Sequence, residues 1–135
     1  MVFGLASCLL AFWKGGGAER IGAACIVGNI VLGLLISAWT PDLYGPTLKL
    51  ANDGLIAVAF LILAVLYASP WLGVAMLLYA AQFAMHSYYV VLALPKDLLH
   101  AQVNNLIFVS VILCTLTGAI GAWRRRGRTG TPDAA

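Results

Sequence analysis

WLGVAMLLYAAQFAMHSYYVVLAL, residues 71–94, decides the fold: twenty-four predominantly apolar residues carry polar side chains in their interior. A helix rises about 1.5 Å per residue and crosses the hydrocarbon of a bilayer with about 20 apolar residues, so this run is long enough to span. At about 100° per residue, Tyr79, Gln82, His86 and Tyr89 fall within an arc of about 80°, while Leu77, Leu78, Val90 and Val91 lie outside it. Polar side chains at such depth cost free energy when they face lipid. The stripe is therefore expected to point into a bundle and to be hydrogen-bonded there.

The whole chain agrees with a membrane setting. Of 135 residues, 62% are hydrophobic and 10% charged, against roughly half and a quarter in soluble domains. The net charge of +3 arises largely from Arg124, Arg125, Arg126 and Arg128, directly after the last apolar run. Clustered there, these arginines read as topology anchors, and nucleic acid is not an expected partner. Cys8, Cys25 and Cys114 are scattered through apolar runs, with neither CxxC spacing nor an even-numbered disulfide framework. The N-terminus has no basic n-region and no small-x-small cleavage pattern, so it is expected to be retained.

Working outward from residues 71–94, the pattern predicts an all-α polytopic transmembrane bundle. Four spans are expected near residues 18–39, 46–69, 70–94 and 97–123, with a short N-terminal helix over residues 2–13. That helix, twelve residues, is short for a crossing and is expected either to cross thinly or to lie at the interface. Gly15, Gly16 and Gly17 end it, and Glu19 suits the positive end of the next helix dipole. In the second helix, Ala24 and Gly28 stand one turn apart, a spacing that permits close helix approach in lipid, and Asn29 at its centre reads as an interhelical hydrogen bond or a binding group. Residues 40–46 (TPDLYGP) form an interfacial loop flanked by Trp39 and containing Tyr44. Lys49, Asn52 and Asp53 follow near one end of the third helix. Asp53 has two readings there, an ion or proton ligand at a pocket mouth, or an interfacial carboxylate neutralised by Lys49 one turn away, and the second is favoured.

Ser69-Pro70 and Pro95-Lys96-Asp97 are tight turns, so the third, fourth and fifth helices are expected to be antiparallel neighbours, with Asp97 capping the fifth. Counted from the second turn, His86 and Asn104 lie at a similar depth of about 13 Å. The expected polar cluster is Asn29, Asp53, Gln82, His86 and Asn104, centred on His86 with Gln82 and Asn104 as its neighbours. His100, on the same count, lies at only about 7 Å, and this mismatch with His86 argues against paired axial ligands for haem. No zinc motif, phosphate loop, nucleophile elbow or carboxylate pair is present, so no metal site, cofactor or catalytic residue is assigned and an enzyme is not expected.

Residues 1–123 form one transmembrane domain, and residues 124–135 are expected to be a disordered basic tail. Placing the C-terminal arginines in the cytoplasm puts six basic residues on that side and Lys49 and Lys96 on the other. The Ala, Gly, Leu and Arg bias resembles that of small polytopic bacterial inner-membrane proteins, which implies that location and transfers no functional residue. Two functions remain. Small-residue faces, satisfied amides and interfacial anchors favour a non-catalytic accessory or assembly subunit, with the bilayer, another membrane protein or a second copy as partner. The alternative is an oligomeric transporter or channel for a small solute or ion, using the polar cluster around His86.

Overall fold

A computed structural model describes residues 2–39, 45–95 and 97–129. Among these residues the chain forms five helices and no strand: α1 (Val2–Lys14), α2 (Gly17–Trp39), α3 (Gly45–Tyr67), α4 (Pro70–Val91) and α5 (Leu98–Thr129). Four of them, α2 to α5, are long and apolar enough to cross a membrane. The chain is thus an all-helical bundle of membrane-spanning type. Only a fold that satisfies every backbone group internally is stable in hydrocarbon, and continuous helices do so.

Consecutive helices are neighbours, α3 and α4 most extensively, and contact between α2 and α5 closes the bundle. Helix α1 lies against α2 and α5. It turns Gly4, Ser7, Cys8 and Ala11 inward at helical spacing and leaves Leu9, Leu10, Phe12 and Trp13 exposed. The outer faces of the spans are apolar too, with Leu34, Leu55, Ile62, Val65 and Leu77 among the exposed side chains. In water such a surface would be an aggregation hazard; against lipid it is the favourable one.

The core holds few large side chains. Phe60 and Leu72 are fully buried, and the indole of Trp71 lies between two glycines. A Cβ on Gly22 would come 2.6 Å from the Trp71 ring, and one on Gly118 would come 2.8 Å from it. Those two positions therefore set how closely α2 and α5 approach α4. The expected contact at Ala24 and Gly28 is not made among the described residues: Ala24 is exposed and a Cβ on Gly28 would meet nothing within 4 Å. One-turn spacing of small residues shows where a helix is able to approach, but not which side its partner occupies.

Helix ends differ from expectation for local reasons. Pro70 disfavours helical geometry at Ser69, so α3 stops at Tyr67 and Ala68 takes a left-handed conformation at φ 46°. Ala93, at φ 49°, likewise ends α4 at Val91 instead of near residue 94. At the other extreme, α5 runs past the expected limit at Trp123 to Thr129. Arginine is a good helix former and is favoured at the negative end of a helix dipole, so the basic stretch continues the helix. The arginine helix replaces the disordered start expected for the tail, and residues 130–135 lie outside the described residues.

The two ends of the bundle have different chemistry. At one, Gly17, Glu19, Ser69 and Pro70 meet Arg125 around an open recess, and Lys14 Nζ sits 5.8 Å from the ring centroid of Trp123. Glu19 Oε2 there accepts the Gly16 N–H at 2.9 Å, reaching back across the start of α2 as in a capping box. At the other end lie Pro46, Lys49, Tyr89 and His100. The polar side chains of the spans gather towards this second end.

Candidate functional site

Helix α4 turns Tyr79, Gln82, His86 and Tyr89 towards the bundle: Tyr79 is buried and the other three are half-buried. Facing them from α3 is Asp53, 5% exposed. Its Oδ2 lies 2.5 Å from His86 Nδ1, and its Oδ1 accepts a long hydrogen bond, 3.3 Å, from Gln82 Nε2. Both carboxylate oxygens are thus engaged. An unpaired carboxylate in this setting would carry a severe desolvation penalty, which the imidazole and the amide offset.

The reading of Asp53 as an interfacial carboxylate neutralised by Lys49 is overturned. Among the described residues the side-chain partners of Asp53 are His86 and Gln82, and Lys49 instead lines the recess outside them. On a helix, positions four apart are adjacent, but Asp53 points across to α4, where the closest pairing of helices in the bundle brings His86 within reach.

His86 continues the network outward. Its ring stacks on His100 of α5, with centroids 5.1 Å apart and planes 19° from parallel, and Tyr89 meets His100 edge-on at 4.8 Å. Tyr89 in turn donates its hydroxyl hydrogen to Asp97 Oδ1 at 2.7 Å, and the same oxygen accepts the His100 backbone N–H at 2.8 Å, capping α5. These donors, the His100 N–H foremost, hold the Asp97 carboxyl below its usual range. The depth mismatch between His86 and His100 does not hold, because α4 ends at Val91, α5 begins at Leu98, and the two histidines lie near those ends. The rings meet, but as a stack. Their nitrogen lone pairs lie in nearly parallel ring planes and do not converge on one ion between them. Among the described residues no three His, Cys, Asp or Glu side chains gather as a metal site.

Asn29 and Asn104 occupy a separate part of the site. Asn52 Nδ2 donates to Asn29 Oδ1, tying α3 to α2, and Asn29 also bonds the Tyr79 hydroxyl. Asn104 lines a cavity of about 70 Å³ with Asn29, Tyr79, Gln82, Phe108 and Val111. No hydrogen bond joins Asn104 to His86 among the described residues, so the place expected for Asn104 is taken by His100. Asn105 is exposed. Of the five residues expected to cluster, Gln82 and His86 each bond Asp53, while Asn29 and Asn104 line the adjoining cavity with Gln82. The anchors Arg124 and Arg125 lie exposed at the opposite end; the side chains of Arg126 and Arg128 lie outside the described set.

Two participants were not assigned from sequence. His100 lay on a polar face but was set aside by counting from the wrong helix ends, and Asn52 stood beside Asp53 with no signal to separate their directions. Comparison with known protein families, with curated proteins and with solved structures finds no match.

Proposed function

We propose that this protein is a multi-pass protein of a bacterial inner membrane that binds protons at Asp53 and His86 and couples that binding to movement of a small solute or ion. The single observation that carries the reading is the contact of the buried Asp53 carboxylate with the half-buried His86 imidazole inside apolar helices. Ionisable groups within spans are costly and mark ion or proton paths far more often than they serve packing alone. Imidazole is also the side-chain group that most commonly takes up and gives back protons in proteins. No catalytic residue is part of the proposal.

The orientation places the Arg124–Arg125 end in the cytoplasm, on the excess of Lys and Arg at that end, and the His100–Asp97 end on the outer side. The functional test is reconstitution in liposomes containing a pH-sensitive dye, with a pH gradient imposed across the bilayer. Wild-type protein should accelerate proton uptake over protein-free vesicles, and Asp53→Asn should abolish the increment. Uptake unchanged by Asp53→Asn would refute the reading.

A second reading is favoured by a separate observation. Ala24 is exposed and a Cβ on Gly28 would meet nothing within 4 Å among the described residues, an outward small-residue seam that suits an accessory or assembly subunit docking on another membrane helix or on a second copy. Copurification of a stoichiometric membrane partner, lost in Gly28→Leu, would select it.

A further inference from the structure

Two cavities flank Asp53. The outer one, about 50 Å³, is lined by Pro46, Lys49, His86, Tyr89 and His100 at the Asp97 end. The inner one, about 70 Å³, is the chamber of Asn29, Tyr79, Gln82 and Asn104. Asp53 bonds a lining residue of each: Oδ2 to His86 of the outer cavity and Oδ1 to Gln82 of the inner one. A cavity holds water when it offers about 10–15 Å³ per molecule and several polar partners, and both conditions are met in the inner chamber, whose wall has three amides and a phenol.

Beyond the chamber, towards the basic end, no connected polar path is seen among the described residues: the buried Thr115 hydroxyl is bonded to the Val111 carbonyl of its own helix, and the Trp71 indole N–H is buried without a partner. Phe60 stacks on Tyr79 at 5.2 Å and meets Trp71 edge-on at 6.5 Å. Leu63, Leu72, Ala75 and Ala119 bury the same layer. From Tyr79 to Trp71 is about 12 Å along α4, and that length is apolar.

We infer that the inner chamber is a hydrated site reached only from the Asp97 end, past Asp53 and His86, and that the Phe60–Trp71–Tyr79 layer seals it from the basic end. This rests on the proton-site reading and adds the side from which water and protons arrive. Around the pair stand Lys49 from α3, Tyr79 and Tyr89 from α4, and His100 with Asp97 from the start of α5; Cys25 of α2 and Cys8 of α1 lie near Tyr79. The charged groups are thus on the Asp97 side. A single protomer in this arrangement is a half-channel, and passage to the other side requires the aromatic layer to move.

The experiment uses the full chain with Cys8, Cys25 and Cys114 changed to Ala and one cysteine introduced at a time, in membrane vesicles of known sidedness. Silver ion, small and thiol-reactive, is the probe. Asn104→Cys should react from the Asp97 side at least tenfold faster than from the basic side, and Ala75→Cys should be inert from both. Equal reaction of Asn104→Cys from both sides, faster reaction from the basic side, or none from either would overturn the inference. Should the cysteine variants fail to fold, radiolytic footprinting of the wild-type protein reads the same property: Tyr79 should be oxidised by an adjacent bound water, and its full protection would count against a hydrated chamber. One-sided silver access together with proton uptake indifferent to Asp53→Asn would retain the half-channel and discard the proton reading; the reverse pattern would discard the half-channel alone.

Discussion

Replacing His86 with leucine leaves the Asp53 carboxylate, 5% exposed, with only the 3.3 Å bond from Gln82. Removing one partner of a buried charged pair costs about 3–5 kcal/mol, because the remaining charge is left uncompensated, whereas an ordinary interhelical hydrogen bond in a membrane averages about 0.6 kcal/mol. The two magnitudes are far enough apart to decide between a charged pair and neutral packing. Adding Asp53→Leu to His86→Leu removes the stranded carboxylate, and replacing both members of a buried pair by apolar residues is often neutral or stabilising. The double variant should therefore recover most of the loss, giving a coupling of at least about 2 kcal/mol, or a factor of about 30 in the unfolding equilibrium. The assay is reversible unfolding in mixed micelles, followed by helical circular dichroism for the wild type, both single variants and the double. A loss for His86→Leu near 0.6 kcal/mol, or additive single effects, would refute the claim that Asp53 and His86 are strongly coupled.

Three further outcomes are expected. Gly118→Ala places a methyl group 2.8 Å from the Trp71 ring and should cost about 1–3 kcal/mol in the same unfolding assay, whereas Gly28→Ala should be near neutral; equal losses would contradict the packing described. Asp97 has a folded-state pKa below its unfolded value, so its contribution is present above the ordinary carboxylate pKa and is lost as pH falls through the folded one. Amide exchange at His100 should accordingly quicken below about pH 4, and Asp97→Asn should remove that dependence. Reporter fusions after Trp123 and within residues 43–44 should show a cytoplasmic C-terminus and an outer loop; a periplasmic reporter active at the C-terminus would reverse the orientation.

What sequence revealed and what it concealed divide along a physical line. Local rules made the spans legible: apolar runs of bilayer length, Pro70 and Pro95 at turns, and Asp97 as a cap. The stripe of Tyr79, Gln82, His86 and Tyr89 was legible too, because helical periodicity alone puts these residues on one face. Which helix that face meets is a property of packing, and no periodicity encodes it. Depth counting put Asp53 in one cluster with His86, but the charge of Asp53 was paired with Lys49, because i,i+4 pairs are visible in a chain, while the direct bond to His86, thirty-three positions away, is set by packing. His100 was misplaced by counting depth from the turn as though α4 ran on to Leu94, when Ala93 breaks the helix before it and α4 ends at Val91. The Ala24–Gly28 seam illustrates the same limit in reverse, since its spacing was legible and its partner was not.

The most direct measurement exploits the fact that the chain has only two histidines. Nitrogen-15 spectra of the histidine-labelled protein in lipid bilayers resolve His86 and His100 without ambiguity once His100→Gln assigns them. In the wild type, the His86 Nδ1 signal should carry a hydrogen-bonded proton shared with a carboxylate, and Asp53→Asn should shift it markedly while perturbing His100 far less. A His86 signal identical in wild type and Asp53→Asn would contradict the intramembrane carboxylate–imidazole site on which the proposed function stands.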